Sequence, residues 1–202
     1  TCAVQTGCFA GDTAGLPVTI SASGSYRLTS NLVVPNENTS GIVASADNIS
    51  IDLAGFEIRG PVVCSGAPVA CIPSSGTGSG VINPSIGISG NSVRNGSIRG
   101  MGLFGVYLEF QSEATNLRVR SNRLSGIRTG YGSSVSSNTA YQNGGEGIYA
   151  IASSIVSGNT ALQNAGWGIG TGNGATVSGN TAAQNGSDGI NTGSGSTVSG
   201  NT

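Results

Sequence analysis

The chain is 202 residues long with a formal net charge of −1; only 8% of its residues are charged, and it contains no His and no Lys. That length suffices for one domain with a core, and the charge balance gives no reason to expect nucleic acid or an anionic membrane as a partner. No apolar run is long enough to span a bilayer.

Cys2 and Cys8 come first in chain order, and Cys64 and Cys71 make a second close pair. Three connectivities are possible, of which local pairing, Cys2–Cys8 and Cys64–Cys71, is the simplest. Without His or a C-x-x-C spacing, no metal or other cofactor is expected. Disulfides imply an oxidising compartment. With no leading Met and no signal-like segment, the chain reads as a mature bacterial protein, secreted or at the cell surface. Residues 15–35 (GLPVTISASGSYRLTSNLVVP) read as short strands ending at Pro35. Residues 46–60 (ADNISIDLAGFEIRG) read as two strands around a Gly turn, and 60–85, rich in Pro, Ser and Gly, as a loop pinned by Cys64–Cys71.

The second half is periodic. SSNT ends at Thr139 and SGNT at Thr160, Thr181 and Thr202, a step of 21 residues. Val135, Val156, Val177 and Val198 keep the step, as do Ile127, Ile148, Ile169 and Ile190, each preceded by Gly. A fixed period in this range means stacked units that bury their apolar faces against their neighbours. No segment holds a helical apolar spacing, and short β-type pieces alternate with Gly, Asn and Ser corners. Leucine-rich repeats lack support for want of Leu spacing, and calcium-binding nonapeptides for want of carboxylates, Asp188 being the only Asp in the repeats. The expected fold is therefore all-β: a single-stranded right-handed parallel β-helix of about 21 residues per coil. The Val and Ile columns form its internal ladders, and Asn138, Asn159 and Asn180, with Asn143, Asn164 and Asn185, form corner amide ladders. Val106 extends the Ile column upward, whereas Val119 lies only 16 residues before Val135. That spacing reads as a compensated insertion and deletion. Residues 1–40 are expected to cap the first coil, and 41–202 to form the coils of one structural domain.

The run SYRLTSNLVVP…NTSGIVASADNISIDLAGFEIRGP, then NSVRNGSIRGM and the reiterated VSGNTAxQNGxxGI, resembles the secreted bacterial right-handed parallel β-helix repeat proteins. These are relatives of the pectate-lyase-like and periplasmic copper-associated β-helix families. The resemblance implies the fold along nearly the whole chain. The fold itself carries lyases, hydrolases, adhesins, tail spikes and filaments, so it implies no single activity.

Two surfaces are candidate ligand sites. Tyr107, Arg128 and Tyr149 share a step of 21 and should stack outside the Ile column, where they could pack on one another or offer flat faces to a sugar; Trp167 lies nearby. Arg118 and Arg120 alternate around Val119, so both point outward and could meet an anionic sugar. Catalytic carboxylates are not evident: Asp47 and Asp52 share no obvious column, and Glu146 and Asp188 are separated by Trp167. Hydroxyl pairs such as Ser134/Ser136 and Thr176/Ser178 form the kind of flat array an ice binder presents, interrupted by Ile155. The sequence thus leads to a non-catalytic extracellular solenoid, structural or adhesive, with other copies of itself as partners head-to-tail or laterally, because the chain stops mid-coil at Thr202. The alternatives are a protein that binds or degrades polysaccharide and, as a minor one, an ice binder.

Overall fold

A computed structural model describes residues 2–9 and 12–202. Apart from a single helical turn at Cys2–Gln5, the described elements are strands of two to eight residues. Such short strands, each bounded by Gly, Asn or Ser corners, cannot bury a face alone and stack in parallel instead. Eight strands make one all-parallel sheet: Val18–Ile20, Ile42–Ala44, Val81–Ile82, Val106–Leu108, Ile127–Thr129, Ile148–Ala150, Ile169–Thr171 and Ile190–Thr192. Thirteen others make a second sheet of two ribbons, the second and third counting the first sheet as one, fused where the eight-residue strands Ser92–Arg99 and Glu113–Arg120 run through both. The second ribbon runs on through Ser134–Ser136, Ile155–Ser157, Thr176–Ser178 and Thr197–Ser199. The third runs from Leu32–Val33 and Glu57–Arg59 to Thr139–Tyr141, Thr160–Leu162 and Thr181–Ala183. Each coil thus contributes one strand to each of three faces, which defines a parallel β-helix.

The inward columns form the core. Val106, Ile127, Ile148 and Ile169 are in register and fully buried, as are Ala114, Val135, Val156 and Val177. In the last coil Ile190 is half-buried and Val198 is 51% exposed. Each fully buried Val or Ile removes enough apolar surface to contribute about 1.5–3 kcal/mol. The expected insertion and deletion around Val119 is absent. Val119 pairs with Ala140 and Ala114 with Val135, so the step of 21 holds without interruption. Matching Val to Val had put Val119 in the wrong column; what a column shares is inward burial, and Ala fills it as readily as Val.

Residues 18–33 already form a coil, since Val18–Ile20, Gly24–Arg27 and Leu32–Val33 pair with the strands of the next one. Within the segment expected to act as a cap, helix Cys2–Gln5 precedes that coil, Ala3 joins the core, and Phe9 packs on Tyr26 with ring centres 5.1 Å apart. Cys2 is bonded to Cys8 and Cys64 to Cys71. The second bridge joins the antiparallel hairpin Val63–Ser65/Ala70–Ile72, an excursion from the coils that lies against the Asn122 carbonyl. The expected loop therefore ends before residue 85, because Val81–Ile82 is a strand of the first sheet. Two disulfides are compatible with an oxidising compartment. Among the described residues no helix is long and apolar enough to cross a membrane.

Asparagine supplies the corners. The Oδ1 of Asn159 accepts from the backbone N–H and Nδ2 of Asn138 at 2.9 and 3.0 Å, and Asn159 in turn donates to Asn180. Asn122, Asn143, Asn164 and Asn185 repeat the arrangement at another corner. These amides satisfy backbone groups that turn away from the strand ladders, as buried polar groups require.

Candidate functional site

Outward positions of the first sheet carry Tyr107, Arg128, Tyr149, Gly170 and Asn191 in one register. The Arg128 guanidinium lies 4.8 Å from the Tyr149 ring centre and 5.9 Å from that of Phe104, which itself packs on Tyr107 at 5.3 Å. Trp167 rises from the preceding corner and stacks near-parallel to Tyr149, with centres 6.5 Å apart and planes at 20°. Gly170 makes room for it: a Cβ there would meet Trp167 Cε3 and Tyr149 Cδ2, both at 2.9 Å. The rings and the guanidinium therefore pack on one another, each contact contributing roughly 0.5–1 kcal/mol. This strip stabilises the stack, and Tyr149 has Arg128 and Trp167 packed on it. At one end the Tyr107 hydroxyl donates to Glu109. Burial pushes the Tyr107 phenol above its usual range, and the hydrogen bond and negative charge of Glu109 add to this against the nearby Arg128.

No carboxylate pair faces a common point on this strip. Glu146 accepts from Ser125 Oγ at 2.6 Å, and Asp188 accepts from Asn191 Nδ2 at 3.2 Å. Asp47 accepts the Ser89 N–H at 2.7 Å. Glu113 stands exposed on the second ribbon, away from any other acid in its register. Among the described residues no three of His, Cys, Asp or Glu gather into a metal site.

The third ribbon presents a different surface. Arg59, Arg99 and Arg120 occupy one outward column on three successive coils, followed by Tyr141. Arg118 stands in the adjacent column, which runs Glu57, Ser97, Arg118, Thr139. Four of the eight arginines therefore lie on this face with one acid, Glu57, which pairs with Arg99 at 2.8 Å. Among the described residues Arg59, Arg118 and Arg120 have no salt bridge, and all three are exposed. A groove of about 360 Å³ runs between Glu57, Ser97, Arg118, Arg120, Thr139 and Tyr141. Like charges about one strand spacing apart, ~4.8 Å, repel one another, and a row of carboxylates laid along the column would relieve that.

Of the remaining arginines, Arg94, Arg123 and Arg128 have structural partners, Arg94 lying 3.7 Å from Asp52, and Arg27 stands exposed. Arg123 donates to the carbonyls of Gly102 and Gly76, and Arg128 is held in the aromatic strip. Asp52 sits in register between Arg27 and Arg94 on the second ribbon. Its carboxyl is held below the usual range, first by accepting the Ala54 N–H at 2.8 Å; Asn95, Arg94 and Arg27 add to this, and burial opposes it. A lowered pKa means stability that is present above the ordinary value of 3.8 and lost as pH falls through the lower folded-state value. The Asp52→Asn variant, which keeps the acceptor for Ala54, should show a shallower loss of Tm between pH 5 and about pH 2 than the parent. Equal slopes would show that Asp52 does not contribute to acid sensitivity.

Sequence reasoning found Arg118 and Arg120 but missed Arg59 and Arg99, because the hairpin between Arg59 and Arg99 breaks the period that would have aligned them. It also missed Phe110 and Tyr131, which stack at 6.3 Å on a corner of the helix, for their column changes residue type at every coil.

No family model and no curated protein matches the sequence. Among solved structures the chain is similar to the A-module of the Azotobacter vinelandii mannuronan C-5 epimerase AlgE4, with a TM-score of 0.52 and 16% identity. That likeness covers 89% of this chain and 66% of the module, just under two thirds of its length. The A-module of the A. vinelandii mannuronan C-5 epimerase AlgE6 matches with a TM-score of 0.40, 16% identity, and coverage of 89% of this chain and 65% of that one. At this identity the AlgE4 module shows a shared parallel β-helix fold.

Proposed function

We propose that the chain binds an anionic polysaccharide laid along the third ribbon, parallel to the helix axis. The observation that carries this reading is the arginine face. Arg59, Arg99 and Arg120 sit on three successive coils with Arg118 beside Arg120 at a groove, and all but the Glu57-paired Arg99 are exposed and without a salt bridge among the described residues, on a chain whose net charge is only −1. A polyuronate carries one carboxylate on every sugar, and a linear chain along the column can meet one guanidinium per coil in charge-assisted, bidentate hydrogen bonds. Tyr141, at the end of the column, offers a ring to the sugar next in line. The AlgE4 module, which shares the fold, is named for a uronate polymer, and that agrees with the reading. The adhesive role expected from the sequence then takes a definite form, adhesion to a charged polymer.

Calorimetric titration with oligomannuronate and with a neutral mannan oligomer tests this. The anionic polymer should bind, more weakly as salt rises, because exposed charges are screened. Replacing Arg59, Arg118 and Arg120 with Gln should weaken binding about ten-fold or more and flatten the salt dependence. The reading fails if the neutral oligomer binds equally well, or if the triple variant binds like the parent.

A further inference from the structure

We infer a second carbohydrate subsite, for a neutral sugar, at the corner that joins the first sheet to the second ribbon. Here Phe110 and Tyr131 stand on successive coils and stack with planes at 28°. The next residue in that column is Ala152, reached through the Gly132 N–H bond to its carbonyl, so the aromatic run ends and Tyr131 is left 53% exposed. This contrasts with the strip on the first sheet, where both faces of Tyr149 are covered by Arg128 and Trp167. Beside Tyr131 lies a cleft of about 410 Å³, within the range of small-ligand sites. Its lining is Gly87, Ser89, Phe110, Gln111, Tyr131, Gly132 and Ser153.

The chemistry of that lining selects the occupant. No charged side chain borders the cleft, which disfavours a uronate, whose carboxylate would lose water without gaining a partner. An open aromatic face carries the negative lobe of its quadrupole and accepts the weakly positive axial C–H bonds of a pyranose. Gln111, Ser89 and Ser153 supply neutral donors and acceptors at the rim, the groups that sugar hydroxyls need. An apolar platform with a few convergent polar groups and no charge fits a neutral pyranose residue better than an ion or an apolar molecule. The corner and the arginine face lie on different parts of the coil, so both can be occupied at once, and one molecule can join a neutral glycan to an anionic one. The subsite rests on Tyr131 and stands independently of the arginine face.

The test titrates the disulfide-intact protein with cellohexaose, xylohexaose and mannohexaose, and separately with oligomannuronate. At least one neutral oligosaccharide should bind. Tyr131→Ala should weaken that binding about ten-fold, while Tyr131→Phe, which keeps the ring, should stay within about two-fold of the parent. Oligomannuronate binding should be the same in all three proteins. Unchanged thermal unfolding of the variants separates loss of the platform from loss of the fold. The inference is overturned if none of the three binds in the millimolar range, if Tyr131→Ala binds like the parent, or if only oligomannuronate binding falls.

Discussion

Asn159→Leu should lower the stability of the protein by about 2–6 kcal/mol, the cost of leaving two or three buried polar groups short of a partner at ~1–2 kcal/mol each. Asn159 is 1% exposed and sits at the centre of a ladder. Its Oδ1 accepts from the Asn138 N–H and from Asn138 Nδ2, and its own Nδ2 donates to the Val135 carbonyl at 2.8 Å and to Asn180 Oδ1 at 3.0 Å. Leu has nearly the same volume, so the core stays filled while the Asn138 N–H loses its partner, Asn138 Nδ2 is left with the Ala114 carbonyl alone, and the Val135 carbonyl loses its side-chain donor. In a stacked repeat each coil depends on its neighbours, so the damage should spread to the coils on either side. Thermal unfolding, with amide hydrogen exchange at Asn138 as a local probe, measures both effects. The same change at Asn201, which is half-exposed, should cost less, because water can take over its bonds to the Asn180 N–H and Nδ2 and to the Val177 carbonyl. Equal losses at the two positions, or a loss under 1 kcal/mol at Asn159, would contradict the ladder as a source of stability.

The contrast between these two asparagines shows what was legible in the sequence. The step of 21 gave the parallel β-helix, and the Asn columns could be recognised because an amide ladder needs the same residue on every coil. A hydrophobic column makes no such demand. Ile98, Val119, Ala140 and Ala161 stack as one buried column although their identities change, which is why Val119 was misplaced. Surfaces were harder still. Tyr107, Arg128 and Tyr149 could be aligned by counting, but the covering of Tyr149 by Trp167 depends on a ring folding over Gly170, which no spacing reveals. The arginine column stayed hidden for a topological reason. The excursion pinned by Cys64–Cys71 inserts chain between Arg59 and Arg99, and only the strand register brings them to adjacent coils.

Gly147→Ala should destabilise the protein by about 2–4 kcal/mol, more than a methyl group costs at most positions. Gly105, Gly126, Gly147 and Gly168 each precede the buried Val or Ile of the first sheet, at the point where the coil turns against the Asn ladder. A Cβ on Gly147 would lie 2.6 Å from Asn164 Nδ2 and 2.6 Å from the Gly168 carbonyl oxygen. Neither can yield cheaply. The amide is held by Asn185 Oδ1 and the Ala140 carbonyl, and the Gly168 oxygen accepts the Ile148 N–H. Gly158 is a glycine for another reason. It has φ +64°, and a Cβ there would meet nothing within 4 Å. The residues 21 positions apart in its column include Asn116 and Ser137 at φ 53° and 58°, so that turn accepts side chains that tolerate the left-handed region. Gly158→Asn should therefore leave the melting temperature nearly unchanged, while Gly147→Ala lowers it by several degrees. If Gly147→Ala melted with the parent, or Gly158→Asn melted as early as Gly147→Ala, the crowding of the coil against the Asn ladder would not be what holds glycine in that column.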